Sequence, residues 1–288
     1  MRAFPIALGS LMLAWSFACL AQQAAPERPG DPAQSPDATE IIRKSLARDM
    51  VNFERLKNYT YHQRDEERAY DKQGKLKKKE SQTYEVLILG GHDYERLIAK
   101  DDQPLPEKDV RKEQAKLDQE AEHRAHESEA DKAKIEKQRL EERKFLDEVP
   151  QAFAFRLLGE DEVSGKPAWV IQADPRRDYK AKDRRAKLIT KLHGKVWIDK
   201  NEYQWVKVEA EASDTVSFGL GLLRIEPGAT VRFEQTRVND EVWLPASAKI
   251  YANAKVAIFK NFHSEIDITF QDYKKFQSDS HLVISAAQ

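Results

Sequence analysis

The chain has 288 residues, of which 34% are charged and 40% hydrophobic, with a formal net charge of −1. That is enough apolar material for one substantial core plus a polar appendage, and the charge balance excludes the molecule as a whole as a polyanion binder. The single cysteine, Cys19, excludes an internal disulfide and, once a leader is removed, any thiol chemistry.

Residues 1–21 read as a signal peptide. Arg2 supplies the positive end, and Ile6 to Leu20 is an apolar run of signal length, too short to span a bilayer. Cleavage after Ala21 suits the small residues Cys19 and Ala21. The rival reading is lipidation of Cys19, but Ser16 stands where a lipobox carries a Leu-like residue, so plain secretion to the periplasm is expected. Gln22 to Pro36, rich in Pro, Ala and Gln, reads as a disordered tether. Asp37-Ala38-Thr39-Glu40 has the form of a capping box. Ile42, Leu46, Met50, Phe53 and Leu56 lie beyond it on one stripe, which predicts an amphipathic helix ending near Asn58. That helix either plugs the core or caps a cavity.

Three strands are predicted next, at Tyr59–Tyr70, Glu80–Leu89 and His92–Lys100, with turns at Asp71–Gly74 and Gly90-Gly91. Glu107 to Val149 is different: bracketed by Pro106 and Pro150, free of Gly and Pro, and crowded with Glu, Lys, Arg, Gln and Ala. Its apolar residues (Val110, Leu117, Ile135, Leu140, Phe145, Leu146) keep no heptad, which argues against a coiled coil. It reads as one long solvated helix of roughly 60 Å or as a helical hairpin, serving as a solvated arm, a docking arm for an envelope partner, or a lid.

Ala152–Leu158 and Pro167–Ala173 predict a further pair of strands. Between Arg176 and Lys195 there are nine basic residues against two acids. Arg176, Arg177, Lys180, Lys182, Arg184, Arg185 and Lys187 form the candidate anionic-surface site, at about 1 kcal/mol for each cation near anionic lipid. The rival reading is a solvated basic loop. Tyr179 is the one Phe, Tyr or Trp within the run, so interleaved aromatics are lacking and nucleic acid is not an expected partner. From Lys191 to Phe270 apolar residues alternate with polar ones: Val196 and Ile198; Val206, Val208 and Ala210; Val231 and Phe233; Val242 and Leu244; Ile266, Ile268 and Phe270. A period of two, with no helix-length stripe between runs, predicts antiparallel strands with one buried face. Ser217–Ile225 (SFGLGLLRI) fits either a bulged strand or a mobile apolar lip.

No phosphate loop, dinucleotide fingerprint or nucleophile elbow is present. His123 and His126 lie three apart amid Glu120, Glu122 and Glu127, a pattern that a solvated helix face explains better than zinc. No catalytic residue, metal or cofactor is expected, and the chain is read as no enzyme.

Gly194-Lys195-Val196-Trp197-Ile198-Asp199 opening one hairpin, and Asn239-Asp240-Glu241-Val242-Trp243-Leu244-Pro245 closing another, behind a signal peptide and a short amphipathic helix, resemble the periplasmic lipoprotein-carrier superfamily of LolA/LolB type. The resemblance is to its "outer membrane lipoprotein-sorting protein-like" branch. It covers roughly residues 40–105 and 150–276, and departs at the charged insertion 107–149 and the basic loop 176–195. It implies an α+β fold: an unclosed antiparallel β-barrel curled around the N-terminal helix, forming a single domain over 37–276, with 277–288 as a tail. It also implies an apolar concave face that shelters acyl chains. Trp169, Trp197, Trp205, Phe218, Leu220, Leu222 and Trp243 are the candidate lining residues. The expected function is non-enzymatic binding of a lipid or of lipoprotein acyl chains by a monomer. The alternative is an interaction or sensor module that binds an envelope protein through 107–149 or the basic loop.

Overall fold

The computed structural model describes residues 36–276 except 72, 142, 219–222 and 257–259, and only the backbone at 184, 217–218, 223–224, 254–256 and 260–262. The leader, nearly all of the tether, and the tail fall outside these residues, as do Leu220 and Leu222.

Helix α1 runs over Ala38–Leu56, with Asp37 as its N-cap. The Asp37 carboxylate accepts from Thr39 N at 2.9 Å, satisfying one of the free N–H groups of the first turn. Glu40 does not complete a capping box. It lies 3.6 Å from Arg43 instead. The buried face is also not the expected stripe: it comprises Ala38, Ile41, Ile42, Ser45, Asp49 and Asn52, while Met50 is exposed. The helix is rotated because two polar side chains must face inward. Asn52 donates to Gln204 and accepts from the backbone N–H of Trp243 at 3.2 Å. Gln204 in turn donates to Gln235 at 2.8 Å. Asp49 accepts from Trp205 Nε1 at 2.6 Å. These groups bind α1 to the sheet through directional contacts, and a buried polar group that lost its partner would cost the full desolvation penalty. Asn52→Leu is therefore expected to lower unfolding stability by about 2–3 kcal/mol, read as a lower urea midpoint at unchanged slope. An unchanged midpoint would show that the amide chain contributes nothing.

The strands are β1 (Tyr59–Tyr70), β2 (Leu76–Leu89), β3 (His92–Lys100), β4 (Gln103–Pro104), β5 (Phe153–Val163), β6 (Lys166–Pro175), β7 (Leu192–Asp199), β8 (Trp205–Ala212), β9 (Val216–Phe218), β10 (Leu223–Ile225), β11 (Thr230–Val238), β12 (Val242–Val256) and β13 (Lys260–Lys275). They form one sheet in the order β4-β3-β2-β1-β13-β12-β11-β8-β7-β6-β5, with the β9–β10 hairpin attached to β12. The pairings are antiparallel, and the end strands β4 and β5 do not meet, so the sheet is open. The α+β curled sheet expected from the sequence is the fold observed. One register row crosses eight strands: Asp65, Ile268, Ala248, Phe233, Val208, Val196, Ile171 and Leu157. Directly opposite residues share a face, so the row defines a nearly continuous apolar side that ends at Asp65. Helix α1 lies on it, packing against β5, β7 and β12.

Two local features shape this face. The first is a bulge in β8. Trp197 pairs with Lys207 and Ile198 with Trp205, so Val206 is the extra residue. Val206 therefore packs with Trp197, Ala168 and Trp243 on the far side, not with Val208 and Ala210 as simple alternation predicts. The second is Gly194, opposite Ala210. A Cβ there would stand 2.1 Å from Glu209 O and 2.7 Å from Ala210 Cα. Gly194→Ala is expected to cost about 3 kcal/mol, at the upper end of overpacking effects because the clash is with backbone. A thermal midpoint within a degree of the parent would show that the strands part freely.

The charged insertion is two helices, not one 60 Å rod. These are α2 (Glu107–Ala125) and α3 (Glu129–Glu141), followed by a 3₁₀ turn (Lys144–Glu148) and α4 (Val149–Ala152). Ser128 separates α2 from α3, its hydroxyl accepting from Asp131 N at 3.2 Å. Both helices are fastened to the domain. Arg124 donates to the carbonyls of Leu89 (3.0 Å) and His92 (2.9 Å). Arg139 pairs with Glu54 and stacks 4.2 Å from the Phe53 ring. The two helices bury no residue of their own, so the arm is a solvated brace anchored through arginines.

Candidate functional site

Between α1 and the apolar face lies a cavity of about 430 Å³, within the ~300–1,000 Å³ range of small-molecule sites. Ile42 and Leu46 of α1 form one wall. Phe145, Leu146 and Val149, at the end of the insertion, form a second. The floor is Phe153, Phe155, Val196, Val208 and Phe233. The cavity follows β7 from Ile198 to Leu192, about 20 Å of extended strand, so it suits a long, thin, apolar occupant. Asp49 and Arg143 border it beside Trp205. His193, Lys195 and Glu209 border it where β7 begins, but they alternate with the inward Gly194 and Val196 and also line a separate polar cavity of about 530 Å³ with Arg232 and Lys249.

Arg143 fixes the second wall. Its guanidinium pairs with Asp49 and stacks 4.2 Å from the Phe53 ring, while Asp49 also holds Trp205. One buried carboxylate thus joins α1, the sheet and the segment that carries Phe145 and Leu146. Arg143 and Phe145 also line a second, more polar cavity of about 520 Å³, with Phe53, Asp93 and Arg139, so this contact is the partition between the two. Arg143 Nε and His193 Nδ1 are buried without a hydrogen-bond partner. Such atoms are uncommon in folded proteins, and both belong to residues that line the apolar cavity.

A strap from Arg176 to Lys191, containing the short helix α5 (Arg184–Ile189), lies over the same region. Ile189 lines the cavity and Ala186 is fully buried. The strap is held by Glu148, whose carboxylate accepts from Tyr179 Oη (2.7 Å), Lys182 N (2.9 Å) and Asp183 N (2.7 Å). Those bonds, the Tyr179 hydroxyl first, hold the Glu148 carboxyl below the ordinary glutamate value. A depressed carboxyl contributes stability above its unfolded value and loses it as pH falls through its folded value. The hold on the strap is therefore expected to persist at neutral pH and to fail only when the pH falls below the ordinary glutamate range. Hydrogen exchange at Lys182 and Asp183 should report this. Glu148→Gln should give the fast pattern at pH 7, and equal protection in parent and variant would show that Glu148 does not hold the strap.

Of the tryptophans singled out in the sequence, Trp205 lines the cavity. Trp169 packs under α1 with Ile41, Ile42 and Tyr203, its ring 5.2 Å from that of Tyr203. Trp197 and Trp243 are placed on the other face, clustered with Ala168 and Val206. The alternation that puts Ile198 inward puts Trp197 outward. The Phe218 side chain, Leu220 and Leu222 lie outside the described residues, as does the Arg184 side chain. Arg176, Arg177, Lys180, Lys182, Arg185 and Lys187 are brought together on the strap, all exposed. Sequence reasoning missed Phe145, Leu146, Val149, Phe153 and Phe155 as lining residues. Their signal is the abrupt return of large apolar side chains after Arg143, at the end of an otherwise charged tract.

Among the described residues, no group of three or more His, Cys, Asp or Glu side chains is placed to hold a metal ion, and no helix is long and apolar enough to cross a membrane.

No family model matches the chain, and no curated protein matches it. Solved structures with a similar backbone include the following three. One is an outer membrane lipoprotein-sorting protein domain from Vibrio parahaemolyticus (TM-score 0.33, 10% identity, 84% of this chain and 95% of that one). Another is a LolA superfamily protein from Nitrosomonas europaea (TM-score 0.32, 10% identity, 83% and 94%). The third is a DUF1329 family protein from Desulfovibrio piger (TM-score 0.33, 11% identity, 84% and 95%). Likeness at this level concerns the general form of the sheet and carries no information about a ligand.

Proposed function

We infer that this is a non-enzymatic protein of the cell envelope that shelters a lipid, or the acyl chains of a lipoprotein, between α1 and the apolar face of the sheet. The observation that supports the reading is the cavity itself: about 430 Å³, elongated along β7, with apolar walls contributed by α1, the sheet and the end of the insertion. Each methylene taken from water contributes about 0.8 kcal/mol. Ten methylenes would thus offset the cost of immobilising a ligand, about 4–15 kcal/mol, at least in part. The Arg143 guanidinium at the edge of the cavity is suited to the ester or amide carbonyl where an acyl chain joins its head. Residues 1–21, read as a signal peptide, support a periplasmic location by plain secretion, with lipidation of Cys19 as the rival.

The test is native mass spectrometry of the protein recovered gently from an envelope fraction, followed by solvent extraction. Discrete added masses that extract as lipid are the expected result. A clean unliganded mass that persists after incubation with phospholipid and with acylated peptide would overturn the reading.

A further inference from the structure

The cations of the strap have a definite place in the fold. Ala186 is buried and Ile189 lines the cavity, while Arg177, Lys180, Lys182 and Lys187 are exposed. None of these four forms an ion pair among the described residues. Of the nearby carboxylates, Asp183 and Glu148 are otherwise engaged, and Asp178 is exposed on the strap, one acid beside these cations. Asp183 caps α5, accepting from Arg185 N (2.6 Å) and Ala186 N (3.2 Å). Glu148 accepts from Tyr179, Lys182 N and Asp183 N. Arg176 is pinned by its Nε to Phe153 O at 3.0 Å and remains exposed. Asp183 and Glu148 thus set the path of the strap and leave its outer side positive. In a chain whose formal net charge is only −1, this is a local surface, not a reflection of overall charge.

We propose that the outer side of residues 176–187 docks on an anionic phospholipid bilayer, which sets the cavity beside the membrane that supplies or receives its acyl chain. The proposal rests on the acyl-binding reading for its purpose but not for its geometry. An array of exposed lysines and arginines suits a fluid sheet of phosphate head groups, where each cation adds affinity without needing a fixed partner. Each one near such a surface raises affinity roughly five-fold, and the attraction is screened by salt. The docking segment is continuous with Ile189, which lines the cavity, so docking would bring the cavity close to the bilayer.

The experiment is sedimentation of the purified full chain with vesicles of pure phosphatidylcholine or of phosphatidylcholine containing phosphatidylglycerol. The quantity read is the increment due to the anionic lipid, which a lipid anchor on the chain would not mimic. The expected result is clear binding to the anionic vesicles that falls steeply with added salt. Replacing Lys180, Lys182 and Lys187 together by Gln is expected to weaken that increment roughly 100-fold, with an unchanged thermal midpoint, since all three are exposed. Equal binding to both vesicle types, or an increment untouched by the triple substitution, would overturn the proposal. So would binding of acidic protein in place of vesicles. Failure here is separable from failure of the acyl-binding reading, because lipid in the cavity is read independently by native mass spectrometry of the same variant.

Discussion

Asp49→Ala should lower unfolding stability by about 3–4 kcal/mol, the range found when one partner of a buried ion pair is removed. In a domain of this size that corresponds to a thermal midpoint about 10 °C lower. Asp49 is only 5% exposed and accepts from two donors on different elements, Trp205 Nε1 and the Arg143 guanidinium. Its removal strands both, and Arg143 already has a buried Nε without a partner. The 3₁₀ turn carrying Phe145 and Leu146 comes directly after Arg143, so the variant should also lose that wall of the cavity, seen as faster hydrogen exchange over 143–149. Asp49→Leu with Arg143→Met should recover most of the loss, because replacing both members of a buried pair by apolar groups is often neutral. If the single variant melts like the parent, the pair is solvated and the turn is held by its apolar contacts alone. If the double variant is as unstable as the single, the loss comes from Trp205.

The extent to which the sequence foretells the fold depends on the range of the interactions involved. Strand alternation is local, so β1 and β3 and the antiparallel character of the long C-terminal run are readable from period-two spacing. The pairing of β1 with β13 is not, because it joins residues about 200 apart and depends on which edges remain free after the hairpins form. The helix is legible, but its buried face is not. A hydrophobic stripe through Met50 loses to Asp49 and Asn52 when polar groups on the sheet need partners, and those partners are distant in sequence. The bulge at Val206 likewise defeats alternation, since one extra residue exchanges the faces of its neighbours along the strand. At the site, size misleads. Tryptophans draw attention because they are large, yet Trp197 and Trp243 belong to the cluster on the opposite face. Phe145 and Leu146 are easily passed over because their neighbours are charged. The basic strap is legible as a charge run, but the burial of Ala186 and the place of Ile189 at the cavity depend on the hold that Glu148 supplies from another element.

Val208→Phe should leave the fold intact and weaken acyl retention about 50-fold. Val208 lies in the middle of the apolar row, opposite Val196 on β7 and Phe233 on β11, and its side chain borders the cavity. A benzyl group in place of isopropyl takes the room of about three methylenes of a ligand, each worth about 0.8 kcal/mol, and the sum of about 2.4 kcal/mol converts to that factor. Because the ring enters empty space and not a packed interior, the usual cost of overpacking should be small, and thermal stability is expected to hold or rise. The measurement pairs the melting curve with the fraction of chain carrying extractable lipid after purification. A variant that melts normally and has lost its lipid places the acyl chain over β7 and β8. One that melts normally and keeps it would move the ligand elsewhere on the concave face, along the row through Ala248 and Ile268 toward Asp65, where the apolar surface ends.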